Sequence, residues 1–300
     1  MQLPTLRQLE YFSALAETLN FREAAEASQV SQPGLSGQIA QLEATLHGKL
    51  FERDRRQVRL TRLGETLLPK AREVLANAAD LSDLARSMGA PLAGPLRLGT
   101  IPTVGPYLLP KILPPVRRTY PELSLYLRED LTPHLLDQLE HGSLDLLLLA
   151  TDVPLGDVEV MPLFSDPFHV LVPKGHVFES TTEVTIEQLH HVDVLLLEEG
   201  HCLGDQTMAL CKAPNQSDIA AFRSSSLSTI VQMVAGGMGI TLLPEMALER
   251  ELSGAPNLTT VPFPPDGPSR QIGLAWRKSS PRASEFKMIG ETMTEAYAQS

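Results

Sequence analysis

This 300-residue chain contains two cysteines, one tryptophan and only 5% aromatic residues. Two cysteines cannot build a disulfide framework or a four-thiolate metal site. Long apolar runs are also missing. The longest, Leu146 to Ala150, has the length of a buried strand, far short of the roughly 20 residues that cross a bilayer. Met1-Gln2-Leu3-Pro4-Thr5-Leu6-Arg7 has no basic stretch leading into an apolar one, so no secretory signal is read there. The expectation is a cytoplasmic protein without a membrane partner. No Walker loop, dinucleotide fingerprint or serine-hydrolase elbow occurs, so neither a turnover enzyme nor a cofactor is expected. His134 and His141 share a helix face but lack a completing ligand, and no metal site is read from them.

What is present suffices for packed cores: 43% hydrophobic residues over a length suited to two domains. The net charge of −11 is unevenly placed. Met1 to Ala93 carries 11 basic and 11 acidic residues, Gly94 to Ser300 carries 14 and 25. Within His47 to Leu63 six bases (Lys49, Arg53, Arg55, Arg56, Arg59, Arg62) face two acids (Glu52, Asp54), a local +4. Such asymmetry is the footprint of a nucleic-acid module joined to something else.

The residues around that basic run support the same reading. Leu6, Leu9, Phe12, Leu15 and Ala16 have helical spacing. Asn20 is placed to cap a second helix, Phe21 to Ala27, whose alanines allow close approach. Ser31 then caps a third, with Pro33 in its first turn where a missing N–H costs nothing. Leu35, Ile39, Leu42 and Leu46 form its inner stripe, and Gln32, Ser36, Gln38 and Gln41 its outer face. Two helices around a short turn, the second opening on Ser-Gln, is a helix-turn-helix. Its outer face suits base edges and phosphates, and the arginines from Arg53 to Arg59 suit a two-stranded wing against the DNA backbone. The DNA-contacting set is therefore Ser31, Gln32, Pro33, Ser36, Gln38, Arg53, Arg55 and Arg56, with double-stranded promoter DNA as partner.

From Leu67 onward, Leu67, Ala71, Val74, Ala78, Leu81, Ala85 and Met88 alternate spacings of four and three, a short heptad seam that suits a dimer. After Pro91 the pattern turns to strands alternating with helices, which indicates parallel α/β sheets. A late strand, Ile272 to Trp276, and a closing helix suggest two lobes joined by two crossovers, with a cleft between them. Thr100, Thr103 and Ser225-Ser226 at strand-to-helix turns offer that cleft an anion or polar metabolite site.

Both cysteines lie in Glu198-Glu199-Gly200-His201-Cys202-Leu203-Gly204-Asp205-Gln206-Thr207-Met208-Ala209-Leu210-Cys211. A thiol beside an imidazole at a helix start can have its pKa lowered, and the thiolate is the reactive form. Glu198, Glu199 and Asp205 oppose this unless a cation such as Arg270 folds nearby, so the balance stays open. If a helix separates the pair, nine residues span about 13.5 Å, whereas a disulfide needs Cα atoms within about 7 Å. A disulfide here would be a conformational switch.

Phe21-Arg22-Glu23-Ala24-Ala25, Val30-Ser31-Gln32-Pro33, Leu35-Ser36, Gln41-Leu42-Glu43, Leu50-Phe51-Glu52-Arg53 and Leu60-Thr61-Arg62-Leu63-Gly64 resemble the LysR-type transcriptional regulators. One departure is Gly34, where that family usually has threonine or alanine. Gly34 and Gly37 each cost a helix roughly 1 kcal/mol relative to alanine. The resemblance implies an α+β multidomain protein: a winged helix-turn-helix over 1–62, a dimerisation linker helix over 63–90, and an effector domain over 91–300. The effector domain would resemble type 2 periplasmic binding proteins, with lobe I about 91–165 and 269–300 and lobe II about 166–268. It also implies a homodimer, extending to a homotetramer, and RNA polymerase as a partner.

The Gly-His-Cys-Leu segment, the second-cysteine spacing, Ile101 to Pro110 and Gly239 to Pro244 are similar to peroxide-sensing members of that family. By that resemblance Cys202 is the peroxidatic thiol and Cys211 the resolving one. Thr103, Thr132 and His201 would position hydrogen peroxide, and Asp205 would assist proton transfer. A glutaredoxin- or thioredoxin-type thiol reductant would restore the pair. Two alternatives remain at this point: a regulator sensing a metabolite in the cleft, and a thiol peroxidase.

Overall fold

The structure is a computed structural model and describes residues 3–53, 57–87, 91–190, 192–211 and 223–299. The chain divides into two compact units, one of Met1–Arg86 with Glu140–Ser143, the other of Ser87–Leu139 with Leu144–Ser300.

The first unit opens with α1 (Leu6–Thr18), α2 (Phe21–Ala27) and α3 (Gln32–Thr45). Each start has a cap, which satisfies amides that would otherwise lack partners. Thr5 and Gln8 form a capping box on α1, Asn20 accepts from the Arg22 and Glu23 amides, and Ser31 accepts from Gly34 N–H at 3.3 Å. Phe12, Leu15, Ala24, Leu35, Ile39 and Leu42 are almost wholly buried and make one core. Strands β1 (Phe51–Arg53) and β2 (Val58–Leu60) pair antiparallel with Phe51 opposite Leu60, forming the wing. The Phe51 ring meets Phe12 edge-on at 5.6 Å, which ties the wing to the core.

Helix α4 (Arg62–Ser87) follows. Its seam divides: Leu67 and Ala71 pack on the core of the first unit, whereas Val74 is 46% and Leu81 72% exposed. The start of the seam is thus used within the chain, while Val74 and Leu81 face outward. Met88 lies outside the described residues.

The second unit contains β3 (Gly94–Thr100), α5 (Gly105–Thr119), β4 (Leu123–Glu129), α6 (Thr132–Glu140), β5 (Leu146–Ala150) and β6 (Val158–Pro173). Then come α7 (Ile186–Leu189), β7 (Leu196–Leu197), α8 (Cys202–Cys211), β8 (Arg223–Ser224), α9 (Leu227–Ala235) and β9 (Thr241–Pro244). Helix α10 (Glu245–Leu252), β10 (Leu258–Pro262), β11 (Ser269–Arg277) and α11 (Ala283–Ala298) complete it.

Two sheets share the long β6. Its first part pairs with β11, which continues to β5, β3 and β4; its last part pairs with β9 and β10. Sequence patterning points to parallel sheets, and β3 is indeed parallel to β4 and β5. The pairings of β11 with β5 and β6, and of β6 with β9 and β10, are antiparallel. The reason is topological. Strand β6 carries the chain from one sheet to the other and β11 carries it back, so two neighbouring passages must run in opposite directions. This gives the two-lobed α/β domain with two crossovers. Every residue of β5 is buried, and so is Trp276 on β11, so the core lies where these strands meet.

Candidate functional site

The DNA-facing candidates stand on the first unit. Gln32 and Pro33 are exposed on the first turn of α3, beside their cap Ser31. Ser36 is half-buried. Gln38 is half-buried too, and its Oε1 accepts from Gln8 Nε2 at 3.3 Å, so it is less available than the outer-face reading implies. Arg53 ends β1, while Arg55 and Arg56 lie outside the described residues.

Glu43 was not singled out by sequence reasoning, although it lies within Gln41-Leu42-Glu43. Its carboxylate is buried at 5% exposure and accepts from Leu50 N–H at 2.9 Å, Phe51 N–H at 3.3 Å and Lys49 Nζ at 2.6 Å. Burial alone would raise its pKa, but those hydrogen bonds outweigh it and hold the carboxyl below its usual range. The wing is therefore fastened to α3 by a charged side chain as well as by the core. An acid next to an apolar stripe and six residues before Lys49 was the available signal.

In the second unit, four of the predicted residues converge. Thr103, Thr132, His201 and Cys202 line one narrow, closely packed crevice, together with Ile101, Pro102, Leu131 and Gly200. They come from three places. Thr103 lies in the turn between β3 and α5, Thr132 opens α6, and His201-Cys202 lead into α8. Gly200 has φ +92°, a left-handed conformation that turns the chain after β7 into that helix. At Gly204 a Cβ would stand 2.9 Å from the Leu197 carbonyl, so glycine allows α8 to press against β7.

Arg270, on β11, is completely buried. Its Nε donates to Asp166 Oδ2 at 2.9 Å, Nη1 to Thr103 Oγ1 at 3.1 Å and Nη2 to the Thr103 carbonyl at 2.9 Å. The cation that the sequence left conditional therefore stands behind Thr103, close enough for its charge to act on Cys202. Burial pushes the Cys202 thiol pKa up; Arg270 and Thr132 pull it down, and burial prevails. Thr132 Oγ1 makes no well-formed hydrogen bond, so its contact with the sulfur is polar but poorly aligned. Burial also keeps the His201 imidazole below the ordinary histidine pKa, against the Glu198 carboxylate. His201 is accordingly neutral at pH 7 and able to take a proton.

Asp205 is different. It is exposed on the first turn of α8 and does not line the crevice. Cys211 closes the same helix, ten residues long, and nine residues of α-helical rise separate it from Cys202 by about 13.5 Å. Cys202 is a free, buried thiol. In the cleft proposed for a metabolite, the Thr100 hydroxyl donates to the Leu148 carbonyl and that of Thr103 accepts from Arg270, so both already have partners.

A winged helix-turn-helix joined by a helix to a two-lobed domain, with a polar crevice inside, defines a ligand- or signal-responsive bacterial transcriptional regulator. Residues 6–65 match the bacterial regulatory helix-turn-helix proteins of the lysR family, and residues 89–297 match the LysR substrate binding domain. The chain belongs to the LysR family. It is 42% identical to a probable hydrogen peroxide-inducible genes activator of Streptomyces viridosporus, over 98% of this chain and 94% of that one. It is 40% identical to the HTH-type transcriptional regulator EstR of Acinetobacter baylyi, over 96% of this chain and 95% of that one. Among solved structures, a full-length single-site variant of OxyR from Pseudomonas aeruginosa matches with TM-score 0.77 at 36% identity, over 98% of this chain and 95% of that one. Overall identity is thus similar for relatives with different names, and the chemistry of the crevice has to decide between them. Among the described residues no helix is long and apolar enough to cross a membrane.

Proposed function

We propose that this protein is a hydrogen peroxide-responsive DNA-binding transcriptional regulator, switched by reversible disulfide formation between Cys202 and Cys211. The observation that carries this reading is the crevice: a thiol, two threonines and a neutral imidazole converge on it, and a buried guanidinium holds one of the threonines from behind. Peroxide needs donors and acceptors on both oxygens, and Thr103, Thr132 and His201 supply them.

The steps balance without a cofactor. The Cys202 thiol gives up its proton, the Arg270 charge favouring the thiolate while His201, on the same crevice, is at most a transient acceptor. The thiolate attacks one peroxide oxygen and the O–O bond breaks. The leaving oxygen departs as water once it receives a proton, and Cys202 becomes a sulfenic acid. The Cys211 thiol then attacks that sulfur, forming S–S and releasing the second water. Two thiols of a glutaredoxin- or thioredoxin-type reductant reverse the change. Asp205, exposed at the start of α8, would move protons only after that helix opens.

The α8 geometry makes the redox step structural. Bringing Cys202 and Cys211 within bonding distance requires melting the helix that separates them. In a dimer assembled through the outward part of α4 around Val74 and Leu81, such a change would reach two DNA-binding heads and alter their grip on promoter DNA and RNA polymerase. A tetramer would extend the same assembly.

The test is free-thiol counting before and after stoichiometric peroxide, with a footprint on a promoter carried in parallel. Loss of two thiols with a changed footprint, both absent in Cys202→Ser, supports the reading. An unchanged response in that variant overturns it in favour of metabolite sensing. Catalytic peroxide turnover without operator binding would favour a thiol peroxidase.

A further inference from the structure

Helix α10 does not touch the crevice, yet it grips both ends of the turn that carries Thr103. At its N-terminal end, Met246 N–H donates to Asp166 Oδ1 at 3.1 Å. The other oxygen of Asp166 accepts from Arg270, whose remaining donors hold Thr103. At its C-terminal end, Arg250 Nη1 donates to the Pro106 carbonyl at 3.0 Å, with its guanidinium 5.9 Å from the centre of the Tyr107 ring. Glu251 Oε1 accepts from Tyr107 Oη at 2.7 Å and from Ser228 Oγ, on α9, at 2.8 Å.

The segment between these grips is short and stiff. Val104 and Gly105 N–H both donate to the Ile101 carbonyl at 2.9 Å, and Tyr107 and Leu108 N–H donate to the Val104 carbonyl. A displacement of Tyr107 is therefore passed to Thr103, four residues earlier, with little slack. Tyr107 also packs in the core of the second unit. Its ring is buried, and burial together with the Glu251 carboxylate keeps the phenol protonated far above neutral pH, so it remains a donor at all physiological pH.

We infer that Glu251 and Arg250 are positioning residues for the oxidation of Cys202, acting through Pro106 and Tyr107 on the placement of Thr103. The inference rests on the peroxide reading of the crevice. The mechanism is geometric. Thr103 Oγ1 accepts from Arg270, so its proton is free to be aimed at a bound peroxide, but only if the turn is held in register. Displacing a positioned group by about 1 Å can cost up to 10²-fold in rate. Removing one of several grips should cost less, on the order of tenfold.

The experiment uses the full chain and follows the second-order rate of Cys202 oxidation by hydrogen peroxide. Glu251→Ala and, from the other side of the same bond, Tyr107→Phe should each slow it on the order of tenfold, while Glu251→Gln, which keeps an acceptor oxygen, recovers most of the loss. Neither change should move the pH profile of Cys202 alkylation, because thiol acidity is set by burial, Arg270 and Thr132. In a Thr103→Val background Glu251→Ala should have no further effect, since residues acting through one group are not additive. Wild-type rates in both Glu251→Ala and Tyr107→Phe overturn the inference, as do losses that simply add to that of Thr103→Val. If wild-type Cys202 reacts no faster than free cysteine, the peroxide reading itself fails, and that outcome is distinguishable because it needs no variant.

Discussion

Arg270 and Thr103 are joined twice, by Nη1 to the hydroxyl at 3.1 Å and by Nη2 to the backbone carbonyl at 2.9 Å. One residue comes from β11 and the other from the turn after β3, 167 positions apart. The guanidinium does two things at once: it fixes a crevice side chain and it places a positive charge where a thiolate would form. Its own charge is balanced by Asp166, equally buried, at 2.9 Å.

These two duties are separable in Arg270→Lys. An ammonium keeps the charge but lacks the planar fork that reaches Asp166 and Thr103 together. The variant should retain most of the Cys202 alkylation profile yet lose peroxide reactivity. Arg270→Met should lose both, moving the alkylation midpoint to higher pH. It should also destabilise the domain by about 3–5 kcal/mol, because Asp166 is left charged and buried. Alkylation rates against pH and thermal unfolding check the pair, and a normal peroxide rate in Arg270→Lys would remove Thr103 placement from the account.

The direction of the Cys202 shift sets a pH dependence. Its pKa is raised, so the thiolate fraction should climb through a midpoint above the usual cysteine value of about 8.5. The sign for stability follows. The folded protein holds this proton more tightly than the unfolded chain, so the contribution is full below about pH 8.5 and is lost as pH rises toward the folded value. His201 works at the other end. Its folded pKa is depressed, the unfolded chain takes up the proton first, and stability declines as pH falls below about 6.5. Comparing thermal unfolding against pH in the wild type, Cys202→Ser and His201→Gln should show the alkaline loss missing in the first variant and the acid loss reduced in the second. A thiol midpoint below 8.5 would contradict the burial argument.

Much of this was legible in the sequence where local chemistry decides structure. Asn20 and Ser31 cap their helices because a side-chain oxygen next to an apolar stripe has few other uses. The first half of β6 was not legible: Pro162, Ser165, Asp166 and Pro167 break the apolar alternation, and the strand persists because β11 covers it. Helix α10 shows only Met246 and Ala247 as fully buried residues and gives almost no stripe. The crevice was reached by resemblance, since nothing local links Thr103, Thr132 and Cys202. Arg270 and Asp166 were not legible as a buried charged pair, because they lie 104 positions apart in the chain. Asp205 shows the limit of resemblance: it lies in the right segment but on the outer side of α8.

Helix α8 gives the third prediction. If Cys202 and Cys211 bond, the ten-residue helix from Cys202 to Cys211 must at least partly unwind. Hydrogen exchange of amides in that segment should accelerate on stoichiometric oxidation, and far-UV circular dichroism should lose a corresponding helical amplitude. Both changes should be absent in Cys211→Ser, which still consumes peroxide at Cys202. Protection of α8 unchanged in the oxidised wild type would mean that the disulfide, if formed, is intermolecular.

The DNA-binding head offers a test independent of redox chemistry. Gly34 and Gly37 both lie in α3, where glycine costs roughly 1 kcal/mol relative to alanine. The two positions differ in space. A Cβ at Gly37 would meet nothing within 4 Å, whereas one at Gly34 would stand 3.0 Å from Ser31 Oγ, the atom that caps the helix. Gly37→Ala should therefore stabilise the head by close to the full propensity difference of about 1 kcal/mol. Gly34→Ala should gain less, because its methyl crowds the cap, whose loss costs typically about 1 kcal/mol. Thermal unfolding of the full chain measures both, and operator titration measures what the helix does with the added methyl. If Gly37 is open because DNA approaches there, Gly37→Ala will raise stability while weakening operator binding. Stability and affinity rising together would mean that this face of α3 points away from the duplex, and the reading of Pro33 as a contact residue one turn earlier would have to be revised.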